Sequence, residues 1–318
     1  MFIEAFRNTS LAVMQIFILG AIGYALTKKN VIGEAGVSLL SRLVVEVTLP
    51  AMIFYQLIKD FRFDLYPQWW LLPIISFGVT FFGLCVGYVC AFFIAGKQHR
   101  QQFVSLVAFQ NSAYLPLALI TALIPAERAD ALLTLLFLFL LGFNFLIWSL
   151  GVYILSSHEA TRFEIKSLFS PPVIAVISGL VFVWLGVNRF VPAVLLKSVH
   201  MIGECTLPLA LFVVGGNLAI AKLRHIDKKA ISLMVIAKLI ILPLAGFFLV
   251  LALRVPALIG FLIVMQLAVP PATSLSVITR HYKKEDILIS QGVFFGHIAA
   301  LVTVPLFLSL YLMRVVIQ

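Results

Sequence analysis

The order of apolar and polar positions along this chain predicts a series of membrane-crossing helices. Long apolar runs alternate with short polar loops, and about 20 mainly apolar residues are enough to cross a bilayer as a helix. No loop is long enough to fold as a domain of its own. The predicted spans, numbered 1 to 10 in chain order, are 9–28, 36–58, 69–95, 101–124, 130–156, 172–188, 192–218, 229–253, 257–279 and 286–314.

The composition excludes a water-soluble protein. Of the 318 residues, 62% are apolar and 11% are charged, whereas a soluble domain is about half apolar and a quarter charged. The net charge of +10 does not indicate a nucleic-acid partner, because the basic residues lie mostly in short loops. Odd-numbered loops hold 13 of the 23 Lys and Arg residues, and even-numbered loops and the termini hold eight. This bias predicts odd loops in the cytoplasm and both termini outside.

Several matched positions indicate that the second half of the chain repeats the first. The matched pairs, 156 to 158 positions apart, are Glu46 with Glu204, Pro50 with Pro208, Gln110 with Gln266, and Asp130 with Asp286. We interpret 1–156 and 157–318 as two five-span repeats; the alternative is chance similarity between leucine-rich helices. Since five is odd, the second copy would enter the membrane from the opposite side, and such inverted repeats place substrate sites near the midplane.

Polar residues and prolines interrupt the apolar centres of spans 4 and 9. The residues concerned are Gln110, Asn111, Ser112, Tyr114 and Pro116 in span 4, and Gln266, Pro270, Pro271, Thr273 and Ser274 in span 9. A proline removes a backbone donor and crowds the carbonyl four residues earlier. Unpaired backbone at membrane depth is tolerated only where protein or cavity water satisfies it. We therefore expect both spans to unwind at their centres and these residues to line a substrate site.

Two unwound helices would bring two positive helix ends to one pocket. We expect half-helices to start after Pro116 and after Pro271, each with free N–H groups that favour an anion such as a carboxylate. The alternative is a pair of proline kinks satisfied by neighbouring Ser and Thr residues, without a ligand.

Three further charged residues lie inside predicted spans. Glu46 and Glu204 each stand four residues before a proline, and the cost of a carboxylate in a membrane, about 3 kcal/mol, favours the bundle interior for both. Lys238 in span 8 is expected to pair with Glu46 or to contact the anion; the alternative is snorkelling to the interface. His200 and His297 are interpreted as packing residues, with His297 the stronger alternative as a proton relay.

The chain resembles the auxin efflux carrier family, which includes plant PIN-type carriers and bacterial malonate-transporter-like proteins. The resemblance covers the whole length and is carried by "TLPAMIF" in span 2, "FQNSAYLPLAL" in span 4, "AKLIILPLAG" in span 8, "AVPPATSLSVITRHY" in span 9 and the closing "GHIAALVTVPLFLSLYL". The combination is more specific than any single piece.

This resemblance implies an all-α protein of ten transmembrane helices in two inverted five-helix repeats, with broken helices 4 and 9 crossing at their breaks. It also implies a scaffold of spans 1, 2, 6 and 7 and a moving unit of the others. Asn111 matches the family's asparagine at the first break, Pro271 its proline at the second, and Lys238 a basic position. The family often has glycine at the positions of Ala113 and Pro116, and proline at the position of Ala118.

The function expected from these features is secondary transport of a small mono- or dicarboxylate across a bacterial inner membrane by alternating access. Three driving forces are open: protons that act through Glu46 or Glu204, the membrane potential, or Na⁺. No cofactor or metal is expected. The partners are the anion, the lipid bilayer and, as an open alternative, a second copy in a homodimer. An intramembrane enzyme acting on lipid diphosphates would need clustered aspartates for Mg²⁺, whereas those of this chain are scattered. An anion channel also remains an alternative.

Overall fold

The protein is all-helical in the part that the structure describes, as the sequence predicts. The computed structural model describes residues 2–156, 169–281 and 287–314, and no strand forms within them. Seven helical segments are long and apolar enough to cross a membrane: Phe2–Lys28, Gly33–Asp60, Leu71–Ala91, Ala126–Leu155, Ala193–Ile220, Lys228–Ala252 and Ile287–Arg314. They coincide with predicted spans 1, 2, 3, 5, 7, 8 and 10. Shorter apolar helices occupy the other three: Tyr114–Leu123, Pro171–Trp184 and Ala257–Ala268.

Some predicted features lie outside the described residues. The boundary proposed between the two halves, after residue 156, is followed directly by such a stretch. Several basic loop residues that were used to predict the orientation, and the aspartate matched with Asp130, also lie outside the described residues: Arg162, Lys166, Lys283, Lys284 and Asp286.

Spans 1 and 7 pack against each other more closely than ordinary side chains would permit. A Cβ at Gly215 would overlap the carbonyl oxygen of Gly20, and one at Gly23 would overlap the backbone of Phe212. Small residues allow helices to approach in a membrane, where packing replaces the hydrophobic effect as the source of association. These glycines therefore allow spans 1 and 7 to pack backbone against backbone.

Spans 4 and 9 are interrupted at their centres, as the sequence predicts. The four half-helices are Lys97–Ala108 and Tyr114–Leu123 in span 4, and Ala257–Ala268 and Ser274–His281 in span 9. Residues 109–113 form the first interruption and residues 269–273 the second. Corresponding ends, 108 with 268 and 114 with 274, are 160 positions apart. The second interruption contains both Pro270 and Pro271, whose missing N–H groups cannot continue the helix.

In span 4 the second half-helix begins before Pro116, whereas we predicted that it would begin after this proline. Tyr114 starts the helix and Pro116 is its third residue; a proline is tolerated in the first turn because those amides have no intrahelical acceptor. In span 9 the helix starts at Ser274, three residues after Pro271. Pro116 therefore belongs to a half-helix and not to an interruption.

Two wide helical turns place the charged residues of spans 2 and 8. A π-turn over Val44–Thr48 contains Glu46, and another over Ala237–Ile241 contains Lys238. Each lies just before a proline, Pro50 or Pro243, which cannot pair with the carbonyl four residues earlier. Both helices remain continuous through these turns; a third π-turn, Ile147–Gly151 in span 5, forms without a proline after it.

Candidate site at the crossing of two interrupted helices

The two interruptions lie side by side and pair through their main chains. The N–H of Asn111 donates to the carbonyl of Pro270 at 2.8 Å, and the N–H of Ala272 donates to the carbonyl of Phe109 at 2.9 Å. Gln110 and Pro271 form an isolated antiparallel bridge between them. Each interruption thus satisfies part of the other's exposed backbone, as membrane depth requires. We call this junction the crossing.

One side chain reinforces the crossing. Gln266, in the last turn before the second interruption, donates from Nε2 to the carbonyl of Ser112 at 3.1 Å. Gln266 is fully buried, so this bond joins the two spans in a low-dielectric setting. Although Gln110 and Gln266 match in sequence, they differ in place, because Gln110 lies within an interruption and Gln266 within a helix.

Several polar side-chain atoms at the crossing are buried without a protein partner. Among the described residues these include both amide atoms of Gln110, Nδ2 of Asn111, Oγ of Ser112 and Oε1 of Gln266. A buried polar group without a partner costs about 1–3 kcal/mol. Five such atoms around one junction indicate a place that a polar guest or water completes.

A cavity of about 130 Å³ opens beside these atoms. Six predicted site residues line it: Gln110, Asn111, Ser112, Tyr114, Thr273 and Ser274. Tyr114 and Ser274 are the first residues of the two second-half helices. The first amides of a helix usually lack intrahelical acceptors and carry partial positive charge, although in span 9 the amides of Leu275 and Ser276 donate to the carbonyls of Ala272 and Thr273. Both helix starts thus contribute to the wall of one cavity, which we call the crossing cavity.

The other four predicted site residues do not line the cavity. Pro270 and Pro271 take part in the paired backbone, Gln266 ties it, and Pro116 is buried within a half-helix.

Residues of other spans complete the wall, and the sequence analysis did not identify them. They include Val45 and Leu49 of span 2, Asn144 and Trp148 of span 5, and Ser170 just before span 6. The sequence does contain a signal for Asn144 and Trp148. Asn144 is a polar residue inside an apolar run, and Trp148 lies one helical turn further on the same face. Which residues of other spans they meet at the cavity can be learned only from the packing of the helices.

The glutamates of spans 2 and 7 do not face the bundle interior, which corrects our expectation. Glu46 pairs with Arg42 one turn earlier, Nε to Oε1 at 3.1 Å, with the Glu46 side chain 49% exposed. Glu204 lies 3.9 Å from Nδ1 of His200, also one turn earlier, and its side chain is 64% exposed. Each carboxylate has a potential cation on its own helix, so neither requires an interior partner.

Lys238 is buried, but not with Glu46 as its partner. Its side chain is 1% exposed, so snorkelling to the interface is also excluded in this conformation. Among the described residues no carboxylate pairs with it, and it is not in the wall of the crossing cavity. A lysine buried inside a membrane bundle without a carboxylate partner is expensive and typical of a functional position.

Comparisons with known proteins show that this chain is similar to membrane transport proteins. The family model described as "Membrane transport protein" matches residues 9–164 and 160–308. An uncharacterized transporter of Methanothermobacter thermautotrophicus is 26% identical over 309 residues, which cover 95% of this chain and 98% of that protein. The chain therefore belongs to the auxin efflux carrier family of membrane transport proteins.

Proposed function

We propose that this protein carries a small organic carboxylate across the membrane by alternating access, with the anion bound at the crossing. The observation that supports this most directly is the set of buried, unpartnered amide and hydroxyl atoms beside two helix starts. Three of these atoms, Gln110 Nε2, Asn111 Nδ2 and Ser112 Oγ, can donate. Neutral donors and helix N-termini favour a carboxylate over a cation. In transporters, half-helices of this kind hold substrates near the midplane.

The wider architecture that we propose is ten membrane spans in two inverted five-span repeats, with both termini outside a bacterial inner membrane. Three of the four pairs of corresponding half-helix ends are 160 residues apart and the fourth, Leu123 with His281, is 158 apart, which supports the repeat. The antiparallel pairing of the two interruptions is also what two oppositely oriented copies would produce.

The size of the crossing cavity favours a small anion. An engineered cavity of about 150 Å³ holds one benzene molecule, and the crossing cavity is about 130 Å³. A compact mono- or dicarboxylate such as malonate is of this order. A larger substrate would require the walls to separate.

Spans 2 and 5 suggest how the walls could move. Near their middles the two spans border the crossing cavity, through Leu49 and Asn144. Near one end they are joined: Lys59 Nζ lies 3.1 Å from Asp130 Oδ2, and Gln56 Nε2 donates to the carbonyl of Asp130 at 3.1 Å. We propose that this Lys59–Asp130 contact closes one side while the cavity is open on the other.

The cavity wall also bears on the driving force. Among the described residues that line it there is no carboxylate, histidine or lysine. We propose that the anion crosses in its charged form, with the membrane potential contributing about 2.3 kcal/mol per charge per 100 mV. The buried Lys238 adds positive potential to the moving unit when it is protonated. Proton coupling through Glu46 or Glu204 is the competing model.

We also propose that the protein forms a homodimer, because spans 2 and 7 carry charged residues on their outer face. The Arg42–Glu46 and His200–Glu204 pairs are exposed on these two spans. The ring of Tyr55 in span 2 packs on that of His200 in span 7, with 4.3 Å between the ring centroids. Charged groups at membrane depth usually avoid lipid. A second copy packed on this face would cover them, and cysteine cross-linking across it would test the contact.

The experiment that tests the transport proposal is uptake into liposomes by the purified protein. A panel of labelled mono- and dicarboxylates at fixed pH and voltage should include at least one with saturable uptake and counterflow. Charged-anion transport predicts dependence on voltage at constant pH. Dependence on a pH gradient at zero voltage would favour proton coupling, and non-saturating conductance would favour a channel.

The variant Asn111→Ala separates the site from the fold in the same assay. Its matched control is Asn188→Ala, whose side chain donates to the carbonyl of Ile58 far from the cavity. Unchanged saturable uptake by Asn111→Ala would remove the crossing as the binding site, whatever the substrate.

A further inference from the structure

A groove lies between spans 3 and 4, at the end where a short loop joins them. Deeper in the membrane the two spans are in close contact. A Cβ at Gly83 would lie 2.9 Å from the Cα of Ala108, and one at Gly87 would lie 3.3 Å from the Cα of Val104. Beyond this contact the groove has a volume of about 550 Å³. We call it the loop groove.

The loop groove has an aromatic wall and a basic wall. Tyr88 and Phe92, at the end of span 3, form the aromatic wall and are 56% and 78% exposed. Lys97 and Arg100, at the start of span 4, form the basic wall. Exposed rings such as that of Tyr88 are enriched where a membrane span meets the lipid headgroups. The groove therefore lies at the depth of the headgroups, with apolar and cationic groups facing each other.

The positive charge of the loop groove has no described counter-charge. No Asp or Glu occurs between residues 65 and 126, and no carboxylate is among the described residues that line the groove. The ion pairs of the described residues include neither Lys97 nor Arg100. By contrast, Lys59 and Arg62 each have an aspartate oxygen within 3.2 Å. The groove therefore attracts an anion from outside the chain.

The loop holds Arg100 in place at the edge of the groove. Its Nε donates to the carbonyl of Ile94 at 2.7 Å. Gly96, with φ at +82°, allows the chain between these two residues to turn back, because glycine adopts positive φ without strain. A guanidinium group has five N–H donors, so four remain. They form the planar fork that suits a phosphate group.

We propose that the loop groove binds an anionic phospholipid, with the phosphate at Lys97 and Arg100 and the acyl chains along Tyr88 and Phe92. The partner is a lipid and not a free phosphate ion, because the basic wall faces exposed aromatic rings that favour hydrocarbon over water. Basic pockets between membrane helices on the cytoplasmic side bind anionic headgroups, and the charge bias predicts that this loop is cytoplasmic.

The test is native mass spectrometry of the full chain in a mild detergent. The protein is titrated with phosphatidylglycerol or with phosphatidylcholine of the same acyl chains. Both lipids have a phosphate group, but only phosphatidylglycerol has a net negative charge. We expect phosphatidylglycerol to bind about 30-fold more tightly, the value of two basic residues near an anionic headgroup.

Two double variants that remove the same charge assign this preference to the groove. Lys97→Gln with Arg100→Gln should abolish the preference and leave the affinity for phosphatidylcholine unchanged. Lys228→Gln with Lys229→Gln is the matched control, because these lysines are exposed at the start of span 8 and do not line the groove. The control should keep the wild-type preference. Thermal unfolding in the same detergent checks that both variants are folded.

Three results would overturn the proposal: equal affinity of the wild-type protein for the two lipids, equal losses in the two double variants, or displacement of phosphatidylglycerol by millimolar inorganic phosphate. The last result would assign the groove to a free anion. The first and last depend on the wild-type protein alone and hold even if a variant fails to fold. Binding is measured without transport, so the lipid site stands or falls separately from the proposed function.

Discussion

The crossing of spans 4 and 9 and the outer face of spans 2 and 7 both place polar groups in apolar helices, with opposite results. At the crossing, Asn111 and Gln110 are buried and have unpartnered amide atoms. On the outer face, Glu46 and Glu204 are exposed, each near a basic side chain of its own helix. A residue that is preceded by a full helical turn, as Glu46 and Glu204 both are, can find a partner in that turn, whereas Gln110 and Asn111 lie within an interruption and cannot. Polar residues therefore indicate a binding site where the helix is broken, and local pairing where it continues.

The strongest test of this contrast is Asn111→Ala. A hydrogen bond to a charged ligand is worth about 1.5–3 kcal/mol, so we expect uptake of the best carboxylate to fall about tenfold to 150-fold. Initial rates at subsaturating substrate in liposomes measure this. Asn188→Ala is the control and should retain wild-type uptake; equal losses in both variants would show a general effect on folding instead.

The next largest effect is expected for Gln266→Leu. The change removes the bond to the carbonyl of Ser112 and leaves that buried acceptor without its donor, at a cost of about 1–3 kcal/mol. The thermal unfolding midpoint in detergent should fall. Gln15→Leu, an exposed glutamine within span 1, should not lower it, and an unchanged midpoint in Gln266→Leu would mean that the side chain does not stabilise the junction.

Asp130→Asn tests the charge pair between Lys59 and Asp130. This pair joins two spans, whereas the pairs of Glu46 and Glu204 each lie within one helix. The Lys59–Asp130 pair is partly exposed, and such pairs contribute up to about 1 kcal/mol. We expect uptake to change by about twofold to fivefold, because the balance between the two openings shifts. Cysteine accessibility at Thr273→Cys should change in parallel. No change in either measurement would exclude this contact as a closure.

The smallest effect is expected for Glu46→Gln and Glu204→Gln. Exposed pairs within a helix contribute a few tenths of a kcal/mol, so uptake should stay within about twofold of wild type. Uptake driven by a pH gradient is the measurement that matters here. A tenfold loss in either variant would assign it a coupling role and end the contrast drawn above.

Much of the crossing could be predicted from the sequence because prolines act locally. Pro270 and Pro271 remove two consecutive donors, so an interruption near them follows from covalent chemistry alone. Pro116 was less informative because a proline is tolerated in the first turn of a helix as readily as it breaks an established one. The helix start at Tyr114 therefore required the structure.

What the sequence could not supply is the direction in which a helix faces. Glu204 lies in a helix, Ala193–Glu204, in which Gly203 is the one buried residue, and nothing in its apolar composition separates lipid-facing from buried positions. Asn144 and Trp148 join the cavity because span 5 packs against spans 2 and 4. Such contacts depend on tertiary packing, which hydropathy along the chain does not encode.

The pairing between Asn111 and Pro270, and between Ala272 and Phe109, uses main-chain atoms alone. A joint of this kind tolerates replacement of the side chains around it, provided the local conformation is kept. Evolution could thus exchange the groups that contact the cargo while the joint itself persists. We expect members with different cargoes to share the joint and to diverge in the side chains beside it.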